Sequence, residues 1–273
     1  MFIALEAYTD QGDRLELPLG DASSGLEVRD ITGLEPPNAS ITSTRLALQD
    51  GVQIEASRRE PRSIGLKLGM IAQADKSVMQ IRKTLYGWFM TKASVRLRFI
   101  FDGFPTVDIQ GLVEDFNAPL FVKDPEATIS IFCASPVFFT PDTVVVNGFS
   151  TAGQDSMNVT YPGTVETGFT FKLFPDRVIS RFSLSRNLSN GEGGVLDFSG
   201  ATLNPGDILE LNTQDGEKGV WRIRDGVRQS ILYAVSSNSD WVDLMPGNNA
   251  MRLYIEGATI PYTMEYRTKL GGL

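Results

Sequence analysis

Apolar and polar residues alternate through most of the N-terminal half of the chain, with one segment of helical spacing among them. Alternation with a period of two predicts half-buried strands. Val78, Ile81, Leu85 and Trp88 are instead three or four residues apart, which predicts one helix. Alternating segments occur at residues 2–8, 14–17, 26–31, 64–71, 95–101, 107–116 and 127–133. The pattern therefore predicts a sheet domain that contains a single helix.

The predicted helix has a clear start signal and a polar face. Asp75 and Ser77 precede it, and either side chain can accept a hydrogen bond from the first free N–H groups of a helix. The apolar stripe is expected to pack on the sheet. The polar face is predicted to hold Lys76, Gln80, Arg82 and Lys83.

A polar segment of weak periodicity, residues 41–62, interrupts the alternation. The Asp50-Gly51 pair within residues 49–52 is a hairpin signal. A segment of this length in a compact domain is usually functional. We therefore predict, around residues 34–62, either an arm that packs on a neighbouring molecule or a flexible loop.

The pattern changes after Phe139. Pro141 and the Gly/Ser/Asn-rich residues 147–158 predict a boundary, which divides the chain into domains 1–140 and 141–273. Short strands and turn pairs such as Asn190-Gly191 follow, and this spacing predicts an antiparallel β-sandwich. The predicted strands are residues 159–162, 169–174, 178–188, 194–198, 208–212, 219–224, 231–235, 251–255 and 262–267. The predicted fold class is mainly β.

Composition removes several classes of function. The 273 residues contain no histidine, which excludes Ser-His-Asp and Cys-His catalysis and the common zinc sites. The net charge is -8, and each predicted domain is acidic, so neither has the basic surface of a nucleic-acid binder. No phosphate-binding loop or metal-ligand spacing occurs. We predict no catalytic, cofactor-binding or metal-ligating residues, and no enzyme activity.

The remaining reactive groups have simple structural interpretations. Cys133 shares a strand face with apolar residues, which favours a buried thiol over a reactive one. Glu114 and Asp115 are adjacent on a strand and point to opposite faces, so they are poor partners for glycoside hydrolysis. Asp240 and Asp243 are an equally weak acid–base pair.

Three aromatic residues of the C-terminal half are candidates for carbohydrate binding, because rings exposed on a sandwich face can stack on sugars. They are Trp221, Tyr233 and Trp241. The alternative is that they fill the core. Trp221 alternates with Val220 and Arg222 and shares a face with Ile223, which favours the core for this tryptophan.

No apolar run is long enough to span a membrane, and the first residues lack the features of a signal peptide. We therefore expect a chain made in the cytosol, without membrane insertion.

Several segments together resemble the distal tail protein family of long-tailed bacteriophages (siphoviruses). In the N-terminal half these are residues 63–70, 85–89, 95–101, 108–114 and 127–139. In the C-terminal half they are Asn187 and residues 203–212, 219–224, 241–249 and 262–267. The order and spacing of the segments carry the resemblance, because each one consists of ordinary strand and turn residues.

The resemblance implies an N-terminal ring-forming domain and a C-terminal galectin-like β-sandwich. It implies a homo-hexamer at the virion tail tip, synthesised in the host cytoplasm, that joins the tail tube protein to the tip. The partners implied are a tail-tip hub or tail-fibre and receptor-binding proteins. Genome DNA would pass the lumen without specific binding, as the acidic composition favours. A carbohydrate-binding module or lectin acting in host-surface adhesion is the alternative, and a glycan-acting enzyme is a third.

Overall fold

The computed structural model describes residues 2–20, 23–47, 50–150, 157–187, 193–255 and 257–273. They form antiparallel sheets with one α-helix and one short 3-10 helix in this part of the chain. The predicted mainly β fold class is confirmed. The chain divides into two compact units, Met1–Pro141 with Leu270–Leu273, and Asp142–Lys269.

The first unit is built on one large antiparallel sheet with the order β2-β1-β7-β8-β9-β6-β3. Its elements are β1 (Phe2–Thr9), β2 (Arg14–Leu17), β3 (Leu26–Thr32), β4 (Ala39–Thr44), β5 (Gln53–Arg59), β6 (Arg62–Met70), α1 (Val78–Trp88), β7 (Ser94–Phe101), β8 (Val107–Asn117), β9 (Glu126–Cys133) and β10 (Phe138–Phe139). Strands β4 and β5 pair only with each other. The apolar side chains of the predicted alternation are buried on one face of the sheet, with Leu66, Leu97 and Ile129 fully enclosed.

Ser77, one of the two predicted caps, is the N-cap of helix α1. The Gln80 N–H donates to Ser77 Oγ over 3.4 Å, and the Ser77 N–H donates to Gln80 Oε1 over 2.7 Å. This reciprocal capping box satisfies two backbone donors that a helix start leaves free. Ile81 and Leu85 then pack into the core beneath the sheet.

The chain returns to the first unit after the second one. Leu270 is buried in the first core, and the Leu273 N–H donates to the Leu34 carbonyl over 3.0 Å. Arg62 Nη2 donates to the Gly271 carbonyl. Residues 270–273 lie in the sequence-predicted C-terminal domain, yet they complete the core of the N-terminal one.

Arg62 is a buried cation that binds backbone carbonyls instead of a carboxylate. Its Nη1 donates to the carbonyls of Gly33 and Glu35 over 3.1 and 3.0 Å. Its guanidinium carbon lies 4.7 Å from the centre of the Phe138 ring. Burial lowers the pKa of the guanidinium, and the carbonyl dipoles and the ring face compensate the lost hydration.

The second unit consists of two sheets. Its strands are β11 (Val144–Phe149), β12 (Met157–Tyr161), β13 (Thr170–Leu173), β14 (Ile179–Asn187), β15 (Val195–Leu203), β16 (Ile208–Asn212), β17 (Gly219–Arg224), β18 (Val227–Ser230), β19 (Gly247–Ile255) and β20 (Pro261–Tyr266). The last strand, β21 (Lys269–Leu270), pairs with β10 of the large sheet instead. The six-stranded sheet has the order β11-β20-β13-β16-β17-β18, and the four-stranded sheet the order β12-β19-β14-β15. One apolar core takes side chains from both sheets, including the stacked pair Phe182 and Phe198, whose ring centres are 4.6 Å apart. The unit is the predicted antiparallel β-sandwich.

Some elements differ from the prediction. The strand predicted at residues 231–235 is wrong, because this segment contains a 3-10 helix, Leu232–Ala234. Strands β11, β18 and β21 were not predicted. The Asn190-Gly191 turn, Leu48 and Gln49 of the arm and residues 151–156 of the boundary segment fall outside the described residues.

No helix in the described ranges has the length and apolar character needed to cross a membrane.

Candidate assembly surfaces and ligand sites

The β4–β5 hairpin is the first candidate assembly surface. Its register runs from Ala39 opposite Arg59 to Thr44 opposite Gln53. Apart from the partly buried Ser40, both strands are exposed along their whole length. An isolated two-stranded hairpin is marginally stable in water, so an arm of this kind gains its stability by packing on another surface.

One face of the hairpin carries two exposed isoleucines. The register shifts between Thr42 and Ser43, and it places Ser43 opposite Ile54. Ile41 and Ile54 therefore project from the same face, because side chains two positions apart on a strand share a face. They are 59% and 64% exposed, respectively. Exposed apolar side chains on one face of an unsupported hairpin mark an interaction surface.

A second candidate surface is the apolar loop tip, residues 120–122, between β8 and β9. Leu120 and Val122 are exposed, and Phe121 is 99% exposed. The loop is fixed at its base, because Arg82 of α1 donates to the carbonyls of Ala118 and Pro119. The tip therefore presents three neighbouring apolar side chains from an anchored loop.

The solvent-facing position predicted for Arg82 is wrong, because this side chain is buried. Helical periodicity assigns an arginine to the polar face. Buried loop carbonyls require donors, however, and the long side chain of Arg82 supplies them from the helix.

The opposite face of the large sheet carries a network of paired charges. Asp108 is fully buried between Arg96 and Arg98; Arg98 binds it twice, at 2.7 and 2.9 Å, and Arg96 at 3.3 Å. Hydrogen bonding to Asp108 raises the pKa of Arg98. Both guanidinium groups also lie over the Tyr8 ring, at 4.6 and 5.0 Å from its centre. These arginines are thus occupied within the chain.

The network continues along β1 and β2. The Tyr8 hydroxyl donates to buried Glu6 over 2.6 Å, and Arg14 binds the other Glu6 oxygen at 2.6 Å. Burial, followed by the hydrogen bond to Glu6, raises the pKa of Tyr8. Arg14 also lies 3.5 Å from Glu16. The three arginines of the network are therefore matched by Glu6, Glu16 and Asp108, and the network itself has no surplus of the positive charge that phosphate binding requires.

The core position predicted for Trp221 is wrong. On β17 it is Val220 that is fully buried, while Trp221 lies half-buried on the outer face of the six-stranded sheet. The Arg228 guanidinium covers its ring at 3.8 Å from the centre. Alternation along β17 predicts that Trp221 and Val220 point to opposite faces, but it does not say which of the two faces is buried. The cation–π contact with Arg228 of β18 stabilises Trp221 on the outer face.

The other two aromatic candidates are placed differently. Tyr233 is 73% exposed on the 3-10 helix, and Trp241 packs against the sandwich core. Because Trp221 faces outward and Trp241 faces the core, the predicted residues do not form one carbohydrate platform.

The predicted buried thiol is confirmed. Cys133 is fully enclosed, and burial raises its pKa to about 11, so the thiol stays protonated and unreactive near neutral pH.

The carboxylates of the two candidate pairs have different surroundings. Glu114 is exposed and accepts a hydrogen bond from the Ser130 hydroxyl at 3.1 Å. Asp115 follows it after a register shift in β8. Burial raises the pKa of Asp243. Among the residues that the structure describes, no group of three or more acidic or cysteine side chains is arranged to hold a metal ion.

The sequence matches no protein-family model and no curated protein. The fold, in contrast, has clear counterparts among solved structures. The Dit protein of phage SPP1, presented as a paradigm of the hub adsorption apparatus in Gram-positive-infecting phages, aligns with a TM-score of 0.67 and 16% identity, over 97% of this chain and 98% of that one. A chain of the phage P2 baseplate in its activated conformation aligns with a TM-score of 0.51 and 9% identity, over 99% of both chains. The resemblance to the phage distal tail proteins is therefore confirmed at the level of the fold, which this chain shares with the SPP1 Dit protein over nearly its whole length.

Proposed function

We propose that the protein is a structural hub component of a bacteriophage tail tip or baseplate, without enzyme activity. The observation that carries the proposal is the fold match to the SPP1 Dit protein, which includes both units and almost every residue of each chain. A match that extends over two units in the same order supports a shared role more strongly than a match of one common sandwich would. The P2 baseplate chain gives independent support from a second tail structure.

The assembly that we propose is a homo-hexameric ring of the first units. The β4–β5 hairpin supports it, because this arm exposes Ile41 and Ile54 and buries neither within its own chain. In a ring, the arm of each subunit would lie on the next one, and such a head-to-tail contact closes when the rotation between subunits returns to the start.

The ring would connect the tail tube protein on one side to the tail-tip hub, tail-fibre or receptor-binding proteins on the other. The apolar tip at residues 120–122 supports docking, because exposed clusters of apolar side chains mark protein contacts. The net charge of -8 and the paired arginines around Asp108 suit a lumen through which genome DNA passes without binding. The protein would then act at the tail tip of the virion.

The test is the mass and shape of the purified full chain. Light scattering at micromolar concentration is expected to give a hexamer or an equilibrium between smaller assemblies and a hexamer. Negative-stain images are expected to show rings with a central channel. A strict monomer over the whole concentration range, with no rings in the images, would contradict the proposal.

A further inference from the structure

A cleft of about 550 Å³ lies on the outer face of the four-stranded sheet of the second unit. It follows the first half of β14 and is lined by backbone and polar side chains, among them Arg177, Arg181, Ser183, Asp197 and Tyr254. This cleft belongs to the second unit and lies on a different sheet from the one that carries Trp221.

The register of three strands places the key side chains side by side. Ser183 on β14 pairs with Tyr254 on β19 and with Asp197 on β15. The neighbours Phe182 and Leu184 point into the core, so the three paired side chains share the outer face. Adjacent strands are about 4.8 Å apart, which puts Tyr254 and Asp197 roughly 10 Å apart with the Ser183 hydroxyl between them. This distance accommodates one six-membered sugar ring.

The two walls offer complementary chemistry. On one side, the Tyr254 ring is 40% exposed, with the Arg252 guanidinium 5.4 Å from its centre. The tyrosine side chain offers a flat apolar surface for stacking and a hydroxyl group for hydrogen bonding. On the other side, Arg181 Nη2 binds Asp197 Oδ2 at 3.3 Å. A carboxylate accepts hydrogen bonds and a guanidinium donates them, so such a pair can bind two neighbouring sugar hydroxyls.

Asp197 is held in place by its backbone. Its N–H donates to the Ser239 hydroxyl over 2.9 Å, and its carbonyl accepts hydrogen bonds from Ser236 and Ser239. The β14–β15 register shifts between Ile179 and Arg181. Irregularities of this type re-aim a side chain and occur often beside binding sites.

The charge of the cleft favours an uncharged ligand. Arg177 binds Asp176 at 2.9 Å and also donates to the Ala258 carbonyl. Arg181 faces Asp197. The two arginines of the lining thus each face a carboxylate among the described residues, and the third nearby guanidinium, that of Arg252, lies over the Tyr254 ring outside the lining. This pairing suits a neutral ligand better than a phosphate, which needs donors with surplus positive charge.

From this arrangement we propose that the cleft binds one neutral hexopyranose unit of a glycan. Tyr254 provides the stacking plate, the Asp197–Arg181 pair binds vicinal hydroxyls, and the Ser183 hydroxyl contacts the ring between them. The site lies within the second unit, and it uses none of the three aromatic residues that the sequence suggests for carbohydrate binding.

The test uses the full chain and three neutral probes: methyl β-D-glucopyranoside, methyl β-D-galactopyranoside and methyl N-acetyl-β-D-glucosaminide. Saturation-transfer NMR is expected to detect at least one of them, with millimolar affinity. Tyr254→Ala is expected to weaken binding roughly tenfold through loss of the stacking surface. Asp197→Asn keeps the shape of the side chain and is expected to weaken binding by a similar factor.

Two controls make the experiment specific. Trp221→Ala and Tyr233→Ala change exposed or half-exposed rings elsewhere in the unit and are expected to leave the affinity unchanged. Thermal unfolding verifies that each variant folds, and the isosteric Asp197→Asn decides the outcome if Tyr254→Ala does not fold. Three results would overturn the proposal: no binding of any of the three glycosides, loss of binding in Trp221→Ala instead of the cleft variants, or tighter binding of glycerol 3-phosphate than of the neutral probes.

Discussion

Substitution of Ile41 and Ile54 together by aspartate tests the hairpin as the contact between subunits. Full burial of an isoleucine side chain contributes about 1.5–3 kcal/mol. Because these side chains are 59% and 64% exposed in the single chain, docking can bury only that remaining fraction. Two side chains then contribute about 2–4 kcal/mol to each contact, which corresponds to a weakening of roughly thirty- to several-hundred-fold. The desolvation of two carboxylates in an apolar contact adds to this loss.

The assay is sedimentation velocity of the double variant and the natural chain over a range of concentrations. We expect the ring to dissociate to smaller species at concentrations where the natural chain stays assembled. The far-UV spectrum and the melting of each unit should be unchanged, because both side chains project from an exposed hairpin.

The matched control is the double variant Thr42→Asp/Ala56→Asp. These residues face each other across the same hairpin, on the side opposite to Ile41 and Ile54, and both are exposed. The control adds the same charge to the same arm, and we expect it to leave assembly intact. An isoleucine variant that assembles normally, or a control that dissociates equally, would refute the assignment of the contact to the face that carries the isoleucines.

Three further predictions concern the interior of each unit. Arg62→Met leaves one buried and two partly buried carbonyls without their donor, so urea unfolding should show the first unit destabilised by about 3 kcal/mol; a loss below about 1 kcal/mol would contradict this role. The hydrogen bonds from Arg224, at 2.6 and 2.7 Å, lower the pKa of Asp207 in the folded state, so this carboxylate contributes stability above the ordinary aspartate pKa of about 4, and that contribution is lost as the pH falls through the lower folded value. Asp207→Asn should therefore melt lower than the natural chain at neutral pH and approach it in acid, whereas an equal gap at both pH values would disprove the linkage. Cys133 is buried, with a pKa of about 11, so iodoacetamide should label it only after unfolding, and fast labelling of the native chain would show that the thiol is accessible.

Local patterns were sufficient to predict most of the elements. The alternation in β7 predicts Val95, Leu97 and Phe99 on the buried face, and the structure confirms it. Ser77 was one of two predicted caps and forms the capping box with Gln80. These features depend on residues that are close together along the chain, so they can be predicted from a single sequence.

Features that depend on contacts between different elements were not predicted in the same way. Arg82 is buried because loop carbonyls more than thirty positions away need its N–H groups. The outer position of Trp221 depends on Arg228, which becomes its neighbour through the Asp225-Gly226 turn into β18. In that turn both residues have positive φ, 50° and 77°, as a tight two-residue hairpin requires.

The two candidate sites differ in the same way, because one depends on a local sequence pattern and the other on the pairing of separate strands. The arm was predicted because a long polar segment with an Asp-Gly pair stands out from its surroundings. The cleft was not predicted, because Ser183, Asp197 and Tyr254 become neighbours only through the register of three strands. Nothing in the spacing of these residues along the chain reveals that they share a face.

The return of Leu270–Leu273 to the first unit has a consequence for biosynthesis. The second unit is an insertion within the first, so a nascent chain that has reached residue 141 still lacks Leu270 for its core and the Gly271 carbonyl for Arg62. Domains usually fold in order as they leave the ribosome, but here the earlier unit reaches its final packing only after the later one has been translated. Prematurely terminated chains would enter an assembly with an incomplete core, and this order of synthesis favours assemblies in which every subunit carries both units.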